Sequence, residues 1–244
     1  MIRLDQALVE RGLCDSRERA KRLILAGQVR VNAQTARKPS DSVKPGDELT
    51  LDAQEKFVSR GGHKLEHALE RFQLDVTGQT ALDLGASTGG FTDCLLQRGA
   101  EKVYAVDVGQ GQLAWKLRSD KRVVVMEKTN ARHLQPQQFP AAADLAVIDC
   151  SFISLQKILP PAVPLLKPTG KIVALIKPQF EAGKAEADKG RGVITDEVVH
   201  RRVIHELQEF VASQAGLCWR SVVESPLLGP AGNKEFLVLI EKEF

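Results

Sequence analysis

The sequence predicts an α/β protein in two unequal parts: a small α+β module, then a doubly wound parallel sheet closed by an antiparallel hairpin. Three observations predict it. The chain has 244 residues, 43% of them hydrophobic, enough for one large domain and a small companion, since single domains usually run about 100 to 200 residues. From Gln79 onward, short apolar runs alternate with stretches suited to crossover helices, as a parallel sheet requires. The last two runs, CWRSVVE and EFLVLIE, come after a long helical segment and leave no room for another helix between them, so they close the sheet as a hairpin. The expected boundaries are residues 1–52 for the module, 53–61 for a linker and 62–244 for the sheet domain.

In the module, Ser16 is the expected N-cap of the helix RERAKRLILAG, and Gly27 its left-handed stop. Ala20, Leu23 and Ile24 face inward while Arg17, Lys21 and Arg22 face out. The strand VRVN comes next, then a GD turn and DELTL. Residues 11–38 hold eight Lys/Arg against two Asp/Glu, a net +6 in a chain of net +3, so the rest carries −3. Basic charge gathered in one short segment is the footprint of a polyanion-binding face. RLDQALVERGLCDSRERAKRLILAGQVRVN followed by PSDSVKPGDEL resembles the S-four RNA-binding domain, which binds structured RNA by shape and phosphate contacts. The pattern departs at Ala33, where glycine commonly follows Val-Asn. The resemblance and the charge together imply an RNA partner met through Arg3, Arg17, Lys21, Arg22, Arg30 and Lys38.

VSRGGHKLEHAL begins the second part. Leu65, Ala68, Leu69 and Phe72 fall at helical spacing on one buried stripe, and Lys64 lies just before it, behind a diglycine read as a flexible joint. Taken alone, Lys64 is a solvated first-turn lysine.

The strands TALDL, KVYAV, RVVVM, ADLAVI and KIVALI are expected to run parallel. With the closing hairpin they make the class I methyltransferase variant of the fold rather than the dehydrogenase one. The first strand ends in DLGASTGGFTD, where Asp83 precedes a turn made of Gly85, Ser87, Thr88, Gly89, Gly90 and Phe91. Small residues there let the backbone turn sharply and come close to a ligand, with the next helix N-terminus aimed into the crevice. The spacing G-x-x-x-G-G is not the dinucleotide pattern G-x-G-x-x-G. Asp107, with Val108 after it, ends the second strand, where a carboxylate accepts hydrogen bonds from both ribose hydroxyls of an adenosine. Asn130 and Ala131, in TNAR after the third strand, sit where an adenine lies. S-adenosylmethionine fits this set because it has a ribose and an adenine but no pyrophosphate.

The chemistry turns on the segments just after strands four and five: DCSF, from Asp149, and KPQFEAG, from Lys177. Enzymes that methylate exocyclic base nitrogens commonly carry Asn/Asp-Pro-Pro-Tyr/Phe at the first place, but Cys150 and Ser151 stand there instead. A ribose hydroxyl must lose its proton as it attacks, and a lysine amine can take it only if its own pKa falls, by burial or by a nearby cation. SRGGHKL, LDLGASTGGFTD, VDVGQGQL, TNAR, IDCSFISL, IKPQFEAG and SPLLGPAGNKEFL resemble, in order and spacing, the TlyA family of RNA ribose 2′-O-methyltransferases, whose catalytic domain is similar to the FtsJ group. The resemblance implies a tetrad of Lys64, Asp149, Lys177 and Glu235. Lys177 is then the proton acceptor, Asp149 its orienting carboxylate, and Lys64 and Glu235 position the ribose. It also implies a cytidine in ribosomal RNA, or in a ribosomal subunit, as substrate. Because the chain starts at the RNA module and stops after the last strand, the expectation is the short type that acts on the large subunit.

Other classes are weaker. Cys14, Cys94, Cys150 and Cys218 form no C-x-x-C pair, so neither zinc nor a disulfide framework is expected, and in-line methyl transfer needs no metal. The family has often carried the label hemolysin, but no run approaches the ~18 apolar residues of a membrane span. MIRLDQALVERG carries charge where a signal peptide is apolar, so the expected location is the cytoplasm.

Overall fold

Ser16 caps the helix Arg17–Leu25, its Oγ accepting the Arg19 N–H at 3.3 Å, and Gly27 stands beyond its end at φ +72°. That helix packs on Leu4–Glu10 through Leu4, Leu8, Ala20 and Ile24, all fully buried. The strands Val29–Val31, Gln34–Thr35 and Leu49–Leu51 form a small antiparallel sheet, and Ile2–Arg3 pairs with Ser42–Val43. The computed structural model describes residues 1–52 and 55–243, and the chain divides into compact units between Lys56 and Phe57. Each unit is described by itself.

The expected linker at 53–61 is longer than the structure allows. Residues 53 and 54 lie outside the described residues, but Phe57 is 2% exposed and belongs to the core of the second unit with Leu65, Leu69 and Phe91. The Val58 N–H is fixed by Asp93 Oδ2 at 2.8 Å. A buried aromatic and a bonded backbone leave no linker there.

The helix α1, Gly61–Arg71, corrects the reading of the diglycine. Both glycines lie inside the helix. A Cβ on Gly62 would sit 2.2 Å from the Phe57 ring, and one on Gly90 would sit 2.3 Å from Ser59 Oγ and 2.9 Å from Gly62 N. These residues are small so that α1 can close on Phe57 and on the start of α2, Gly90–Gln97. Close packing, not flexibility, is their use.

The large sheet takes its strands in chain order as β1 Thr80–Leu84, β2 Lys102–Val106, β3 Val123–Met126, β4 Ala143–Ile148, β5 Leu166–Ile176, β6 Leu217–Glu224 and β7 Phe236–Lys242. Their spatial order is β6-β7-β5-β4-β1-β2-β3. All pairs are parallel except β7, which runs antiparallel to both β5 and β6, as the closing hairpin implied. Alternation along the strands feeds two cores. Ile172, Ala174 and Ile176 of β5 face the helix α3, Glu197–Ser213, through Val203 and Leu207. Val173 and Leu175 face α1 and α2. The crossovers are leaner than expected: between β3 and β4 there are only two single-turn 3-10 segments, Ala131–His133 and Pro136–Gln138. Pro136 and Pro140 there prevent a continuous helix.

The departure at Ala33 has a structural consequence. Asn32 and Ala33 both have positive φ, +50° and +66°, the mirror-image turn that matches strand twist in a two-residue hairpin loop. Asn32 is anchored by Asp47 Oδ1 and by the Glu48 N–H, both at 2.9 Å. Ala33 holds a Cβ in a region that costs about 1–2 kcal/mol. Ala33→Gly is therefore expected to stabilise the front unit by about 0.5–1 kcal/mol, after allowing for the freer unfolded chain. Slower amide exchange across Val29–Val31 and Leu49–Leu51 is the expected result, and unchanged exchange would remove the strain argument.

Candidate active site

The chain leaves β1 and β4 side by side, and the site is built where those exits cross. Gly85 has φ +90°, and a Cβ on it would lie 2.7 Å from the Asp149 carbonyl oxygen, so only glycine lets the two loops pass. Asp83, just below, is fully buried. Its Oδ2 accepts the Thr92 N–H at 2.9 Å and the Thr92 hydroxyl at 2.6 Å, which fastens α2 to β1. Burial pushes the Asp83 carboxyl up to about 7, against the pull of those hydrogen bonds.

Two cavities meet here. The first, about 580 Å³, is lined by Gly85, Ser87, Asp107, Val108, Asn130 and Ala131, with Ile153 and Ile158 across from them. Asp107 accepts the Ser87 N–H through Oδ2 at 2.8 Å and the Gly109 N–H through Oδ1 at 2.7 Å. A carboxylate offers about four lone-pair sites, so two remain for vicinal hydroxyls. The apolar wall of Val108, Ala131, Ile153 and Ile158 suits a planar base. These donors and walls fit an adenosine group. The second cavity, about 280 Å³, is lined by Arg60, Lys64, Thr88, Gly90, Phe91, Asp149, Lys177 and Glu235. Gly85, Ser87, Asp149 and Ser151 border both.

The structure thus divides the residues expected at the cofactor. Thr88, Gly90 and Phe91 line the second cavity, not the first. Asp83 lines neither, because its carboxylate turns inward to Thr92. Gly89 lines neither as well: at φ +95°, a Cβ there would lie 2.3 Å from Leu117.

Lys64, Asp149, Lys177 and Glu235 all reach the second cavity as two ion pairs. Lys64 Nζ donates to Glu235 Oε2 at 2.5 Å, with both side chains buried. Lys177 Nζ lies 2.6 Å from Asp149 Oδ1 and donates to Ser151 Oγ at 2.9 Å. Glu235 Oε1 is buried with no hydrogen-bond partner among the described atoms, and it lies against Gly229, where a Cβ would come within 2.4 Å of it. Cys150 donates to the Leu84 carbonyl at 3.4 Å, and burial pushes its thiol up to about 12, so it stays protonated and is no nucleophile.

Sequence reasoning missed Ser151 and Arg60 as parts of this wall. The signal was available for Ser151, a hydroxyl two residues beyond Asp149 at a strand exit. In the front unit, the expected RNA contacts differ in their freedom. Arg3 and Arg17 both pair with the buried Asp5 at 3.1 Å, Arg30 with Asp52 at 2.6 Å and Lys21 with Glu18 at 3.1 Å. Arg22 and Lys38 are exposed.

Residues 57–242 match the FtsJ-like methyltransferase family, and residues 2–49 match the S4 domain. The chain is 48% identical to the 16S/23S rRNA (cytidine-2′-O)-methyltransferase TlyA of Mycobacterium tuberculosis, over 99% of this chain and 90% of that protein. It is 40% identical to a Brachyspira hyodysenteriae protein named Hemolysin A, over 97% of this chain and 98% of that one. A solved structure from Streptococcus thermophilus, also named a hemolysin, aligns with TM-score 0.76 at 44% identity and covers 99% of this chain and 88% of its own. Among the described residues, no helix is long and apolar enough to cross a membrane and no cluster of side chains could hold a metal ion.

The Asp83 carboxyl supplies a pH test. Its folded value is raised above the unfolded 3.8, so the folded state keeps a proton that the unfolded state loses, and that contribution to stability disappears as pH rises through about 7. Asp83→Asn, whose amide oxygen can still accept from Thr92, removes the titration. Its stability relative to wild type is expected to rise between pH 4 and pH 7 in urea titrations. A pH-independent difference would show that Asp83 is ionised throughout.

Proposed function

Because the chain belongs to the FtsJ-like methyltransferase family, we propose that it transfers a methyl group from S-adenosylmethionine to the 2′-hydroxyl of a cytidine in ribosomal RNA. The observation that carries this reading is the pair of ion pairs facing one cavity beside an adenosine-sized one. S-adenosylmethionine supplies, when bound, a methyl group made electrophilic by its sulfonium. Asp107 would hold the ribose hydroxyls, and Asn130 and Ala131 the adenine side. Asp149 and Ser151 border both cavities and so stand where donor and acceptor must meet.

Lys177 enters the step as the neutral amine, having given one proton to solvent, and takes the proton of the attacking hydroxyl while Asp149 and Ser151 hold it in place. The Lys64–Glu235 ion pair, which lines the same cavity, orients the target ribose. The protein's part is orientation and fixed charge, which suits an in-line displacement. The four groups act together. The Ser151 hydroxyl beside Lys177, in place of a Pro-Pro-aromatic turn, supports the ribose over a base nitrogen. The S4 domain supports RNA as partner, with the exposed Arg22 and Lys38 among the cations available to phosphates.

Digestion of ribosomal RNA methylated by the protein is expected to yield 2′-O-methylcytidine. A base-methylated nucleoside would overturn the ribose assignment, and release of haemoglobin from erythrocytes without RNA methylation would favour the membrane reading.

Lys64 needs a test that respects its burial. Lys64→Ala strands Glu235 as a buried, unpaired charge, at a cost of about 3–5 kcal/mol. Lys64→Arg keeps the charge, but a planar fork does not reproduce a compact ammonium. This variant is expected to fold and to bind S-adenosylmethionine normally, while single-turnover methylation falls at least ~100-fold. Near-normal turnover would make Lys64 a structural counter-ion only.

A further inference from the structure

Past the ends of β4 and β5, no ladder hydrogen bonds fix the loops that carry Asp149 and Lys177 relative to each other. Register between the strands stops at Ala174 and Ile148. Side chains take over, in order along both loops. Lys177 meets Asp149 and Ser151, and the Phe180 ring lies 5.0 Å from the Phe152 ring. Beyond them Glu181 Oε2 accepts the Ser154 hydroxyl at 2.5 Å and Glu181 Oε1 accepts the Leu155 N–H at 2.8 Å. Ser154 Oγ in turn accepts the Gln156 N–H at 3.1 Å, so the carboxylate is tied into the start of the 3-10 turn Leu155–Lys157.

Between the first and last of these links, Phe152 is held at φ +62° and 90% exposed. A bulky residue in the left-handed region persists only where its surroundings over-determine it. Glu181 is the link that grips the loop's backbone beyond that point. Nothing in the chemistry of methyl transfer uses this carboxylate directly, yet it is half-buried, four residues beyond Lys177.

We propose that Glu181 is a positioning residue for the reaction: by clamping Ser154 and Leu155 to the turn just after Lys177, it fixes the distance between Asp149 and Lys177. The proposal rests on Lys177 being the proton acceptor. Loss of the clamp leaves both loops folded on their strands but lets the pair drift, and a misplacement near 1 Å costs on the order of 100-fold in rate.

The test uses the full chain, tritiated S-adenosylmethionine and ribosomal RNA, in single turnovers at saturating concentrations of both. Glu181→Ala is expected to slow methyl transfer on the order of 100-fold with cofactor affinity within about threefold of wild type. Glu181→Gln, whose amide can still accept the Leu155 N–H and face the Ser154 hydroxyl, is expected to recover to within about tenfold. On a Lys177→Ala background, Glu181→Ala should change the residual rate by less than about twofold, because it acts through Lys177. A folded Glu181→Ala with near-normal rate overturns the proposal. So does loss of cofactor affinity with a normal saturated rate, or losses that multiply with Lys177→Ala. If Glu181→Ala does not fold, Ser154→Ala, which removes one hydroxyl, decides: a fall of about fivefold or more supports the clamp, and a normal rate overturns it. Near-normal activity in Lys177→Ala itself would instead overturn the assignment of the proton acceptor.

Discussion

The buried pair of Lys64 and Glu235 is the interaction on which the rest of the sheet domain depends. It joins the first helix to the residue before the last strand, 171 positions apart. Both charges lie at or below 9% side-chain exposure, and each is tolerable there only because of the other. For the pair to form, α1 must close on Phe57 and α2, which is why Gly62 and Gly90 carry no Cβ. For Glu235 to arrive, β7 must return antiparallel between β5 and β6. A charge pair that requires both ends of the domain makes the site a product of the complete fold.

The same economy holds at the strand exits. Gly85 lets β1 leave past the Asp149 carbonyl, and that crossing is where the two cavities join. Asp107 does double service: its oxygens hold the Ser87 and Gly109 amides and so shape the turn, while the remaining lone pairs face the larger cavity. Asp83 does the hidden work of fastening α2 to β1 through Thr92. The methyltransferase fold positions its site by backbone crossings first and by charged side chains second.

Much of this was legible in the residues. The seven strands, the closing hairpin, the Ser16 cap and the Gly27 stop come from period and cap chemistry, which are local. Asp149 and Lys177 could be read because each ends an apolar run, and a strand end at the switch point faces a crevice. Lys64 alone read as solvated. Only resemblance linked it to Glu235, since neither residue's neighbours in sequence announce a partner 171 positions away. In the basic module, too, the partners were not legible: Arg3 and Arg17 meet Asp5 and Arg30 meets Asp52 in the fold.

The order of elements and the chemistry present at their ends were determined by the sequence alone, because hydrophobic period, caps and glycine turns act within a few residues. Tertiary structure decided the spacing across the site. The diglycine looked like a joint and is a packing surface. The supposed linker is partly core, because Phe57 found a cluster of apolar neighbours drawn from α1 and α2. Glu181 could not be singled out in KPQFEAG, since its value lies in Ser154 and Leu155, which reach it only when two parallel strands end side by side. Contacts made past the end of a ladder have no local signal, and there the fold alone sets the distance between reacting groups.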